Sequence, residues 1–138
     1  MKHIKSERGQ SLVELAISIL ILIYLLAGAV EFGMAFFQFV QLRDAVQEGA
    51  LYGSMHPADN LGITARVQGA SSSPIDLSTL TPVITVIGSA CEGNGIQVSL
   101  TYDHPIFMPF IPQLIGRPTI PLNATVTDTI LSPVCPGP

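Results

Sequence analysis

Apolar and polar residues divide the chain into three regimes. After a polar start, MKHIKSERG, residues Leu15 to Val30 read LAISILILIYLLAGAV, 16 residues without a charge. This run is apolar on every side, as a helix surrounded by hydrocarbon is. The next stretch, EFGMAFFQFVQLRDAVQEGALYG, has apolar residues at helical spacing. Phe32, Phe36, Phe39, Val46 and Ala50 recur three, four or seven apart, with Gln41, Asp44, Gln47 and Glu48 mostly opposite. The pattern predicts one helix over 10–53, fraying near Gly53 and ended before Pro57.

Beyond the helix the period changes. Residues 54–81 are rich in Ser, Ala, Gly and Asp and read as loop, with a short helix over Asn60 to Gln68 and a break at Ser71-Ser72-Ser73-Pro74. Val83 to Ile87 is a β-branched run. Cys91-Glu92-Gly93-Asn94-Gly95 is a turn signal, and Ile96 to Tyr102 alternates apolar and polar, so a hairpin is predicted. Thr119 to Ile130 supplies a third strand. Between them lies PIFMPFIPQLIGRP, residues 105–118, apolar and holding Pro105, Pro109, Pro112 and Pro118. Four prolines argue against a regular helix. The segment reads either as a lid over the sheet or as a contact surface through Phe107, Met108, Phe110 and Ile111. Three strands need a cover for their apolar face, and the helix over 32–53 is the available one. The expected class is α+β: a long N-terminal helix, membrane-spanning in its first half and amphipathic in its second, packed on a small antiparallel sheet.

Composition fits this division. Hydrophobic residues make up 48% of the 138 and charged residues 12%, against about 25% in an ordinary soluble domain. The 16 uncharged residues rise about 24 Å as a helix, short of a hydrocarbon core of about 30 Å. Counting back to Gln10 gives 21 residues, or about 31 Å, and places Glu14 near the inner end. Glu31 then marks the outer boundary or makes a contact between subunits. The expected organisation is a leader at 1–9, a membrane span at 10–30, an extracytoplasmic helix half at 31–53 and a β-rich head at 54–138. Lys2, Lys5 and Arg8 precede the span and no Lys or Arg follows until Arg43, so the N-terminus is expected inside and the head outside the cytoplasm. After Gly9, nine acids face only Arg43, Arg66 and Arg117, which excludes a basic nucleic-acid surface. Cys91 and Cys135 both fall in the exported part, where an even count favours a disulfide.

Catalytic chemistry finds little support. The sequence has no phosphate loop, no GxSxG, no HExxH and no CxxC. His3 is in the leader, and His104 follows Asp103 on a strand, where neighbouring side chains point to opposite faces. Asp76-Leu77-Ser78-Thr79-Leu80 resembles part of a metal-dependent adhesion motif but lacks its second serine. No metal, cofactor, small-molecule substrate or nucleic acid is expected.

The informative junction is KSERGQSLVEL. A basic leader ends in Gly9, and Glu14 stands five residues later at the head of an apolar helix. A carboxylate at that depth costs about 2.5–3.5 kcal/mol on insertion scales and calls for a partner. The junction resembles the type IV prepilin signal, in which a membrane peptidase cuts after glycine and the fifth mature residue is glutamate. The resemblance implies cleavage between Gly9 and Gln10. The new amine at Gln10 could then pair with Glu14 of a staggered neighbour in an assembly. Arg8-Gly9-Gln10, Glu14, Glu31-Phe32-Gly33 and Gln47-Glu48-Gly49-Ala50 with Tyr52 look like the TadE-like family, minor pilins or pseudopilins of tight adherence (Tad, or Flp) pili. In that family an aromatic residue commonly follows the glutamate; here it is Leu15. The resemblance covers about residues 8–53 and implies a pilin-like fold, a place in the bacterial inner membrane or pilus, and a role in assembly and adhesion. The implied partners are other pilin subunits, the assembly machinery and the prepilin peptidase. The alternative is an ordinary signal peptide cut after Ala29, releasing an acidic extracytoplasmic domain.

Overall fold

The computed structural model describes residues 7–136. Expectations resting on Lys2, His3 and Lys5 lie outside the described residues, as does the side chain of Arg8. One helix, α1, runs unbroken over Glu7–Met55. A second, α2, spans Asn60–Gly69. A 3₁₀ turn follows at Leu77–Thr79. Three strands, β1 (Val83–Ile87), β2 (Gly95–Pro105) and β3 (Thr119–Thr129), form an antiparallel meander in the order β1-β2-β3. The class is α+β, and Cys91 is bonded to Cys135.

The two halves of α1 live in different surroundings. The first is long and apolar enough to cross a membrane, and its most apolar stretch is buried by nothing else in the protein. The second packs on the sheet and on α2. The helix reaches Met55, two residues past Gly53, and the backbone N–H of His56 still bonds the Tyr52 carbonyl before Pro57 stops it.

The seam of α1 takes in Val46 and Ala50 of the predicted stripe but not Phe32 and Phe36. Phe32 and Phe36 are mainly exposed and stack on one another with ring centroids 6.3 Å apart. The buried positions are Gln38, Leu42, Ala45, Val46, Gly49, Ala50 and Gly53, a 4-3 ladder rotated about 100° from Phe32 and Phe36. The reason is steric. A Cβ on Gly53 would lie 2.7 Å from Ile96 Cδ1 of β2, and one on Gly49 would collide with Val67 of α2. A Phe stripe here would hold the layers apart. Gln41, expected on the solvent side, is half-buried. Its amide nitrogen donates to Ser71 Oγ at 2.9 Å and the Ser73 carbonyl at 2.8 Å.

Even-numbered residues of β2 face the helix. Ile96, Val98 and Leu100 are buried, with Val126 paired to Val98 and Ala124 to Leu100 across the ladder. The other face is polar: Gln97 Nε2 donates to Thr127 Oγ1 at 3.1 Å, and Thr101 Oγ1 to Asn123 Oδ1 at 2.5 Å. Alternation therefore gives one buried and one solvated face. Because β2 runs opposite to α1, Ile96 meets Gly53 at the end far from the span, and His104 lies at the near end.

The proline-rich segment differs from expectation in two ways. It contains one short helix, α3 (Ile111–Ile115), with Pro112 in its first turn, where proline's missing N–H costs nothing. It also does not cover the sheet, whose apolar face is already occupied by α1. The segment bulges from the near end of the β2–β3 ladder and lies against α1.

Candidate functional site

Two places combine side chains whose positions the rest of the fold determines. The first is the near end of the sheet. His104 is fully buried. Its Nδ1 lies 2.5 Å from Gln38 Oε1 and its Nε2 3.1 Å from Glu31 Oε1. Glu31 and Gln38 are seven residues apart, two turns, so they stand on one face of α1. Each ring nitrogen faces an oxygen; in the tautomer that gives Nε2–H to the Glu31 carboxylate, the Gln38 amide turns its nitrogen to Nδ1. Glu31 also accepts the backbone N–H of Phe107, at 3.1 and 3.3 Å from its two oxygens. One carboxylate thus ties the last inward residue of β2 and the first turn of the proline-rich segment to the helix.

A histidine beside a carboxylate is also the geometry of acid–base catalysis. Here both ring nitrogens are engaged and the ring is closed to solvent, so nothing remains to meet a substrate. The constellation works as a latch. Asp103, the sequence neighbour of His104, is exposed on the opposite face.

The second place is the far end of α1. Asp59 caps α2: its Oδ1 accepts from the Gly62 N–H and its Oδ2 from the Tyr52 hydroxyl, both at 2.9 Å. The Gly62 N–H and then the Tyr52 hydroxyl hold the Asp59 carboxyl below its ordinary range. The same hydrogen bond to Asp59 pushes the Tyr52 phenol up. Arg66 lies over the Tyr52 ring at 5.2 Å, and the His56 ring stacks on that of Tyr52 with centroids 4.6 Å apart. Arg66 also approaches Glu48 at 3.7 Å, an exposed pair of small energetic weight.

The remaining residues singled out by sequence are dispersed. Gly9, Gln10 and Glu14 lie on the exposed first turns of α1, the helix beginning at Glu7 ahead of the Gly9–Gln10 bond. Cys91 and Cys135 close the far end of the sheet with Cα atoms 4.9 Å apart. Asp76 caps the 3₁₀ turn, accepting from the Ser78 hydroxyl at 2.6 Å and the Ser78 N–H at 3.0 Å. Those bonds, hydroxyl first, hold its carboxyl below the ordinary range. Among the described residues no cluster of His, Cys, Asp and Glu is placed to hold a metal. Phe107 and Phe110 are mainly exposed, and Met108 and Ile111 half-buried. The sequence reading missed the Gln38–His104–Glu31 group. Its one available signal was a Glu and a Gln seven apart in the apolar stretch between Leu15 and Val40.

No curated protein and no solved structure matches the chain. The apolar run from Leu15 to Val30 and the pieces Glu31-Phe32-Gly33 and Gln47-Glu48-Gly49-Ala50 fall within one family match. Residues 9–51 match the family model described as TadE-like protein, so the similarity covers the long N-terminal helix and not the head.

Proposed function

We propose that this chain is a pilin-like structural subunit, a minor pilin or pseudopilin, serving assembly of a Tad-type pilus and adhesion through it. The observation that carries the reading is the helix itself. The Gly9–Glu14 junction opens a single 49-residue rod whose apolar first half is bare and whose second half is the backbone of the head. A bare apolar half suits a bilayer before assembly and other helices after it. In this reading the N-terminus faces the cytoplasm of a bacterial inner membrane. Prepilin peptidase cuts between Gly9 and Gln10, and Glu14 is neutralised by the N-terminal amine of a neighbouring pilin subunit. Glu14 buried alone in an assembly would be costly; paired, it sets the axial stagger. No step of the role is chemical.

The ordinary signal peptide is not favoured. Cutting after Ala29 would remove Gly28, against which Met108 packs, and would split a continuous helix. The test is the mature N-terminus of the protein from its native host, read by mass spectrometry, with piliation scored in a deletion strain. Gln10 as first residue with lost or altered pili supports the role. Val30 as first residue, or normal piliation and attachment, overturns it.

A further inference from the structure

The segment between β2 and β3 sits on the flank of the membrane-spanning half of α1. Met108 Sδ approaches Gly28, and Ala27 and Gly28 are the half-buried residues in an otherwise bare stretch from Gly9 to Val30. An apolar groove of about 370 Å³ runs between Ile23, Leu26, Val30 and Met34 of α1 and Phe107 and Met108 of the segment. From Glu31 back to Ile23 is about 12 Å of helix. The tip therefore lies below the level of Glu31, alongside residues assigned to the span.

We propose that residues 106–116 are a wedge inserted among the lipids of the leaflet on the head's side. Four observations carry this. Leu114 is 80% exposed, Phe110 69% and Phe107 67%, a density of bare apolar side chains that suits hydrocarbon better than water. Between Asp103 and Asp128 the only charged residue is Arg117, at the neck of the segment where headgroup phosphates would lie. The patch is continuous with the lipid-facing surface of α1, so one apolar surface covers both. Backbone polarity, the usual bar to irregular chain in a membrane, is reduced. Pro109 and Pro112 delete donors within the segment, Phe107 N–H is taken by Glu31, Ile106 N–H by the Pro118 carbonyl and Leu114 N–H by the Phe110 carbonyl. The Met108 contact at Gly28, three residues or about 4.5 Å below Glu31, is close to the depth of interfacial elements, about 5–10 Å into the headgroup–acyl boundary. The wedge gives the subunit a second membrane attachment, and the Glu31–His104–Gln38 latch sets its height on the helix.

The inference rests on the reading of α1 as a membrane anchor, and the experiment separates the two. The chain has no tryptophan, so a single one reports its own surroundings. Full-length chain carrying Leu114→Trp, Phe110→Trp, Ile21→Trp or Val134→Trp is reconstituted in phosphatidylcholine vesicles, with and without lipids brominated near the top of the acyl chain. Leu114→Trp and Phe110→Trp are expected to emit in the blue and lose most of their emission to brominated lipid. Val134→Trp, on the exposed tail, is expected to emit in the red and be quenched by aqueous iodide. Water-like emission from both loop variants, with Ile21→Trp still quenched by lipid, overturns the wedge and leaves the anchor standing. Water-like emission from Ile21→Trp as well overturns both. Blue emission insensitive to brominated lipid, but lost on dilution of protein in lipid, assigns the patch to a second copy and also overturns the wedge.

Discussion

At the end of the sheet far from the span, Cys91 and Cys135 close 44 residues of chain with a covalent bond. Around it the turn is laced to the tail: Glu92 N–H donates to the Pro133 carbonyl at 2.8 Å, Ile130 N–H to the Asn94 carbonyl at 2.8 Å, and Leu131 N–H to the Ser54 carbonyl at 2.8 Å. At the end beside the span no covalent bond exists. Glu31, Gln38 and His104 meet there in a buried polar group that also fixes the first turn of the apolar segment. The staple acts mainly by restricting the unfolded chain. The latch acts in the folded state, because the His104 ring is closed to water and its nitrogens are costly to leave unpaired there. One end thus makes unfolding unfavourable, and the other makes one placement of the loop better than its rivals.

Breaking the far end has the larger expected effect. The Cys91→Ser, Cys135→Ser double variant should lose about 4 kcal/mol of stability from the closed loop's length. The check is a lowered urea midpoint of the detergent-solubilised chain, equal to that of the native chain under reductant. Breaking the near end costs less but spreads further. Glu31→Ala strips the acceptor from His104 Nε2–H and Phe107 N–H, for a loss of about 2–3 kcal/mol. Hydrogen exchange at residues 105–118 should accelerate while exchange at the Cys91 turn stays slow. Glu31→Gln keeps one acceptor oxygen and should fall between Ala and the native residue.

The smallest expected effect sharpens the comparison with pH. Asp59 has a folded pKa below its ordinary 3.8. Its contribution is present above that value and is lost as pH falls through the depressed one. Tyr52 has a folded pKa above its ordinary 10.0. Its contribution is present below that value and is lost as pH rises through the raised one. Melting of α2 should therefore begin at the two extremes of pH, and Asp59→Asn should flatten the acidic limb. Circular dichroism followed across pH checks this; an unchanged acidic limb would mean that Asp59 carries no linked stability.

The contrast also explains what could be read from sequence. The strands announce themselves through Val83 to Ile87 and the alternation from Ile96, because burial on one face demands that period. The cysteines do so through compartment and parity. The seam of α1 does so only in part: Val46 and Ala50 of the stripe belong to it, but Gly49 and Gly53, which no hydrophobic stripe marks, share it, and it ends in Gln38 and Glu31. The large phenylalanines at 32 and 36 dominate the pattern while packing on no part of the sheet. His104 and Glu31 are 73 residues apart, and only the antiparallel run of β2 along α1 brings them together. The one-turn helix at Ile111–Ile115 was hidden by proline, which forbids a helix interior but not a first turn.

The absence of any break in α1 has a rotational consequence. The apolar half of α1 and the head share one continuous helix, so the direction in which the head faces is fixed by the helical phase of that half. Each residue added to the rod upstream of Ile23 would turn the head about 100° and raise it about 1.5 Å. A seven-residue insertion would bring it nearly back into phase, about 20° short and about 10 Å higher. The heading of the head relative to Glu14 is thus written in the count of residues between them.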